Sequence, residues 1–432
     1  MEHRHLDATA LDRLLATDRT TEQNEQLFHL LAVCPRCREV GGWLLELHQV
    51  KALPPLFGPV DAALARSHAE APRLLEELAP LDHQDRLARL HADPRFLSLG
   101  LCELLVRRSC QTASEQTLEA IHLAELAVHA ADMIPEGGLF EEHWIYQLRS
   151  LAWAGLANAR RVQGDLSEAE RCSEASSVWW EAGTVAFEDA LGYEPVLLDL
   201  KASLRVAQRR FPEAFKLLDQ AVALFLEGPH ENRDPHLAGR SLILKAGALI
   251  EKGEPESAIQ ALKKANGLID PTREPRLLLC LRHNLVDNLS KTSRYREAAD
   301  LLPGVQELAA IHGSAFDRLR LDWVEARISA GLGDHEHARM LLTHIRETFL
   351  VDGNPFDAAL VDLDLAISYL EEGRTAEVRD LAEEMVTVFR NLDISREALA
   401  ALLLFQESAR QETATTALAR NLATALTRTR SS

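Results

Sequence analysis

Six short turns recur along this chain at nearly constant spacing. Three share the form G-x-x-x-x-A: Gly164 to Ala169 in GDLSEA, Gly253 to Ala258 in GEPESA, and Gly333 to Ala338 in GDHEHA. Three degenerate copies fill the gaps: Arg209 to Ala214 in RRFPEA, Ser293 to Ala298 in SRYREA, and Gly373 to Val378 in GRTAEV. The turn positions 164, 209, 253, 293, 333 and 373 are separated by 45, 44, 40, 40 and 40 residues. A repeat of this length is one supersecondary unit that cannot bury its apolar face alone, so neighbouring units must stack.

A second register runs seven residues before each turn, through Ala157, Ala202, Ala246, Val286, Ala326 and Ala366. A small residue on a first helix and another on the second let two antiparallel helices approach closely at one crossing, while the residue between them supplies a left-handed C-cap. Leu, Ile and Val surround both positions at helical spacing. Composition agrees: Gly and Pro together are 38 of 432 residues, aromatics are 5%, and Leu, Ala, Glu and Arg dominate. These are helix formers with few strand formers, and the chain reads as all-α.

The paired small-residue registers resemble the tetratricopeptide repeat family. Its helix-turn-helix unit carries a small residue late in the first helix, a Gly at the turn and an Ala early in the second. Trp153 stands at that family's aromatic position, and Tyr295 and Tyr369 fall at its tyrosine sites. The resemblance covers about 300 residues, in units of 40 to 45 rather than 34, which implies longer helices or looser connections. It implies a right-handed α-solenoid of helix pairs over residues 98–432. A weaker first unit starts at 98 with Ala120 in its second helix, and a pair from 394 to 429 caps the far end. Residues 53–97, opened by the breaker cluster Pro54, Pro55, Gly58 and Pro59, read as linker and helical connector.

In such arrays the first helices line the inner surface. Counting from the small-residue register puts Asn158, Arg161, Asp199, Arg240, His283, Asp287, Arg320, Trp323 and Arg327 there. Four arginines and a tryptophan on one inner face of an otherwise acidic chain suit an acidic, partly apolar peptide. The same residues also fit a solvated face with one semi-buried Trp. Trp179 and Trp180 are adjacent, so they cannot share one packing interface. Either one is exposed or both wedge between repeats at a helix end.

Residues 1–52 read as a three-helix module with an apolar core through residues such as Leu11, Leu14, Leu30 and Trp43. Within it, FHLLAVCPRCREV resembles the zinc-binding anti-sigma-factor fold, whose pattern is an upstream ligand, then H-x-x-x-C-x-x-C at a helix end. Cys34 and Cys37 match; His29 stands one residue further from Cys34 than the pattern has. On a continuous helix the extra residue turns the ligand by about 140° instead of about 40°, a difference absorbed if Pro35 ends the helix near Ala32. The resemblance implies one Zn²⁺ held by His5, His29, Cys34 and Cys37, with His3 and His48 as substitutes for the upstream ligand. Two thiolates and two imidazoles suit this ion. A metal-free module of the same fold and a redox pair are the alternatives. The other cysteines, Cys102, Cys110, Cys172 and Cys280, read as buried small hydrophobes.

Acidic residues outnumber basic ones 66 to 47, a formal charge of -19, which disfavours phosphate backbones and anionic membranes as partners. No signal-peptide core and no apolar run of spanning length is present, so a cytoplasmic, bacterial-type protein is expected. No catalytic signature such as G-x-x-x-x-G-K-[ST], H-E-x-x-H or G-x-S-x-G occurs. His335, Glu336 and His337 surround a helix start without sharing a face, and His122 and His129 lie two turns apart, too distant for one metal. The expectation is a non-enzymatic interaction scaffold or regulatory adaptor capturing a protein segment. Its alternative is an anti-sigma-type regulator, or an adaptor or target of a protease or kinase system, with a sigma-like factor, protease or kinase as partner.

Overall fold

The computed structural model describes residues 59–136, 140–184, 191–228, 233–389 and 396–430. The chain divides into two compact units, residues 1–72 and 73–432. The described residues hold eighteen α-helices, one short 3-10 turn and no strand. The zinc, cysteine-pair and three-helix expectations for residues 1–52 lie outside them.

Helix α1 (Pro59–Leu78) runs across the division between the units, and α2 (His83–Ala92) and the 3-10 turn Pro94–Phe96 follow it. The pairs then begin: α3 (Leu99–Thr112) with α4 (Thr117–Met133), α5 (Glu142–Gln163) with α6 (Leu166–Thr184), and α7 (Glu194–Ala207) with α8 (Phe211–Glu227). They continue with α9 (Pro235–Lys252) and α10 (Pro255–Asn266), α11 (Pro275–Lys291) and α12 (Tyr295–His312), and α13 (Ala315–Gly331) and α14 (His335–Val351). The last are α15 (Pro355–Glu371) with α16 (Thr375–Phe389), and α17 (Arg396–Arg410) with α18 (Thr416–Arg430). Each helix packs on its partner and each second helix packs on the next first helix. First helices also pack on one another, α3 on α5, α5 on α7, α11 on α13 and α13 on α15, which makes them the inner layer of an α-solenoid.

The turn register has a single backbone cause. Gly164, Arg209, Gly253, Ser293, Gly333 and Gly373 all have positive φ, from 59° to 95°. In each case the next amide reaches back to close the helix: Asp165 to Arg160 O, Arg210 to Arg205 O, Glu254 to Leu249 O, Arg294 to Leu289 O, Asp334 to Ser329 O and Arg374 to Tyr369 O, at 2.8–3.1 Å. These are Schellman caps, built with or without glycine. Helix starts are equally local. Proline occupies the first turn of α7 to α11 and of α15, where a missing N–H costs nothing. Ser314 and Asp317 form a reciprocal capping box on α13.

Both small-residue registers are buried at the crossings. Ala202, Val286, Ala326 and Ala366 are fully enclosed, as are Ala169, Ala214, Ala258, Ala298 and Ala338 on the second helices. Around them the core runs on from pair to pair; one cluster joins Phe225, Leu249, Ile259, Leu281, Val305 and Ile328, drawn from six successive helices. Tyr295 reaches its site because Gly331 leaves room, since a Cβ there would sit 2.4 Å from the ring. Among the described residues no helix is long and apolar enough to cross a membrane.

Candidate functional site

The inner-face side chains fall into two groups, each built across successive first helices. The first group joins α3, α5, α7 and α9. Arg161 is half-buried and donates through Nη2 and Nε to Asn158 Oδ1, at 2.8 and 3.3 Å. Asn158 in turn is buried and points its amide at Cys110 Sγ, 3.7 Å away. Arg161 has no ion pair among the described residues. Burial lowers its pKa, opposed by Cys110 and Asp199.

Asp199 lies close enough to be felt by that guanidinium. Its Oδ1 accepts from Ser241 Oγ at 2.5 Å, and burial raises its pKa against the pull of Ser241, Arg240 and Arg161. Arg240 is exposed one helix further on and donates to Glu274 Oε1 at 2.7 Å. Burial pushes the Cys110 thiol up to about 11, which keeps it protonated at neutral pH.

The second group ties α11, α13 and α15 together. Arg327 donates from Nη1 to Asp287 Oδ1 at 2.9 Å and from Nε to Asp364 Oδ2 at 2.8 Å. Its guanidinium also stacks on Trp323, 4.8 Å from the ring centre. Trp323 Nε1 donates to the same Asp364 oxygen at 2.6 Å and the ring meets Phe349 edge-on. Lys291 donates to the other oxygen of Asp287 at 2.7 Å. Burial works against the charge on Asp287, yet Lys291 and Arg327 outweigh it and hold the carboxyl at about 2. His283, one turn before it, is buried with Nε2 unpartnered, and burial lowers its pKa. Arg320 is exposed.

All nine inner-face residues therefore lie on first helices, and the structure sorts them by availability. Trp323 and Arg327 are spent on joining repeats, Arg240 is exposed but paired with Glu274, Arg320 is exposed, and Arg161 is half-buried without an ion pair among the described residues. Asp364, Ser241, Cys110 and Glu274 complete these groups and were not singled out in the sequence, because their partners are about forty residues away.

Other expectations resolve similarly. Trp179 and Trp180 are both half-buried on different sides of α6, Trp179 against Tyr146 and under Arg149, and Trp180 in a small cleft with Lys201 and Ser177. Cys102 and Cys172 are buried as expected, but Cys280 is exposed, because it stands on the arc of α11 that also carries Arg276 and not on its apolar stripe. His337 turns toward Glu325 on α13 and His335 toward Glu371 on α15, so they do not converge. His122 and His129, two turns apart on α4, each meet a histidine of α2, His83 and His91. Among the described residues no three His, Cys, Asp or Glu side chains are arranged to hold a metal.

The architecture is that of a tetratricopeptide-like α-solenoid. No family model matches the chain, and no curated protein matches it. Among solved structures, the apo form of RapI resembles it with a TM-score of 0.50 at 12% identity, over 84% of this chain and 98% of that one. A Rap protein complexed with Competence and Sporulation Factor has a TM-score of 0.49 at 11% identity, covering 74% and 85%. Aspartyl phosphate phosphatase F from Bacillus subtilis has 0.45 at 13%, covering 90% and 96%. At these identities the likeness to RapI is one of fold.

Proposed function

We propose that this chain is a non-enzymatic regulatory adaptor that captures an acidic, partly apolar segment of a partner protein along the inner face of its solenoid. Arg161 carries the reading. It is a half-buried guanidinium that has given up much of its hydration, is held in place by Asn158, and has no ion pair among the described residues. A desolvated charge without a counter-ion is costly, and a carboxylate entering the groove removes that cost while forming charge-assisted hydrogen bonds. Arg320 adds an exposed guanidinium on α13, and Arg240 on α9 can exchange Glu274 for a carboxylate of the segment, cations that stand out on a chain of net charge -19.

The protonation states support binding over catalysis. Burial raises the thiols of Cys102, Cys110 and Cys172, which leaves them poor nucleophiles, and Asp287 is locked by two cations. Capture by the full chain from a native lysate, repeated with an Arg161→Ala, Arg240→Ala variant, tests the reading and identifies the partner as a sigma-like factor, a protease, a kinase or another protein. Binding should weaken at least tenfold in the variant and fall with rising salt. A partner held equally well by both proteins would place the binding surface elsewhere. Trp323 and Arg327 are less suitable probes, because replacing them also loosens the junctions between repeats.

A further inference from the structure

Helix α2 is joined to the solenoid mostly by polar groups. Of its ten residues only Leu90 and Arg86 are buried. Arg86 bonds to the carbonyls of Leu78 and Ala79 at the end of α1 and to Glu119 on α4. What remains is a ladder of histidines. His83 stacks face to face on His122, with ring centres 4.1 Å apart and planes 15° apart, and His91 meets His129 edge-on at 6.5 Å. Both pairs join α2 to α4, in the same chain order.

A neutral His83 tolerates this arrangement and a charged one does not. A charge on His83 is repelled by any on His122, and among the described residues the one carboxylate bonded to the stacked pair is already shared. Glu125 presents Oε2 to His83 Nε2 at 3.1 Å, while its Oε1 accepts from Arg160 of α5 at 2.8 Å. If His83 donates through Nε2, its other nitrogen must be bare; Nδ1 is in fact buried with no hydrogen-bond partner. A second proton on this ring would create a buried N–H with no acceptor.

Of the other charges facing the ladder, Arg86 and His129 also work against a proton on His83, and Asp132 interacts with His129 rather than with His83. On α2 they are Asp85, Arg86 and Arg89; on α4, Glu119 is held by Arg86, and Asp132 lies beyond His129. In the 3-10 turn that follows, Arg95 is bonded to Asp93 and Glu77.

We propose that α2 is an acid-released latch: docked on α4 while His83, stacked on His122, is neutral, and freed when His83 becomes charged. The direction follows by linkage. The His83 pKa is lowered from 6.5 by burial, then by His122, against an opposing pull from Glu125, and Arg86 and His129 lower it further. A histidine whose folded pKa lies below its free value favours the docked state above pH 6.5, and that preference is lost as pH falls below 6.5 toward the folded value. Release of α2 leaves the pairing of the helices from α3 onward intact.

Amide hydrogen exchange of the full chain at pH 7.5 and 5.5, corrected for intrinsic rates, tests the latch. Peptides covering His83–Ala92 should lose protection about tenfold at the lower pH while α13 to α15 keep theirs. In an H122F, H129F variant the α2 histidines keep an aromatic contact but lose the repulsion of a second imidazole, and the fall should shrink at least threefold, with the burial of His83 accounting for what remains. An H83F variant keeps a ring against His122 but has no proton to gain, and its protection should be the same at both pH values. Wild-type protection that does not respond to pH, a fall that persists in H83F, or an undiminished fall in H122F, H129F overturns the proposal.

Discussion

Replacing Ser293 by glycine should stabilise the α11–α12 turn, although it removes a side chain. Ser293 sits at φ 62°, where an L side chain costs about 1–2 kcal/mol relative to the right-handed region. Glycine removes that cost but brings its own larger unfolded-state entropy, worth about 0.5–1 kcal/mol. The serine is exposed, so little else changes, and the net gain is about 0.5–1 kcal/mol. Gly253→Ser is the mirror experiment. That glycine has φ 88° and open space where a Cβ would go, so the substitution acts through the backbone alone and should cost a similar amount. Because a solenoid need not unfold in one step, hydrogen exchange resolved to individual helices is a better assay than a single melting curve. Exchange from α11 and α12 should slow about two- to fivefold in Ser293→Gly, and exchange from α9 and α10 should quicken about as much in Gly253→Ser. A loss of protection in the first variant, or no change in both, would refute the claim that the turn register is a backbone requirement.

Ala246→Leu and Ala326→Leu each put three extra carbons into a fully buried crossing and should cost about 1–3 kcal/mol; unchanged thermal stability in both would contradict the register. The depressed carboxyl of Asp287 adds stability above its free value of 3.8 that is lost as pH falls through about 2. The wild type should therefore exceed Asp287→Asn by about 2 kcal/mol at pH 7, a margin that shrinks below pH 4 in urea titrations. A margin independent of pH would mean that the carboxylate's charge is not what joins α11 to α13. For the N-terminal module, metal analysis of untagged protein should find about one equivalent of zinc, lost in Cys34→Ser, Cys37→Ser. Sub-stoichiometric zinc with an unchanged N-terminal fold would favour the metal-free alternative.

The sequence by itself determined the pairing of helices and the place of every turn in the ladder, because both depend on local chemistry. A small residue, a positive-φ position seven residues later and an alanine five beyond that specify a close crossing without reference to the rest of the chain. Even Arg209 and Ser293, which are not glycines, were legible from spacing alone. It also placed nine polar side chains on the inner helices. What it could not decide was which of them remain available, since that depends on neighbours forty residues distant. Arg327 and Arg161 look alike on their helices. Only the stacking of α11, α13 and α15 puts two carboxylates on the first, and only the packing of α5 and α7 leaves the second facing Asp199 without an ion pair. The histidines of α4 are the sharpest case. Seven residues apart on one helix they share nothing, and the tertiary structure gives each its partner by laying α2 alongside.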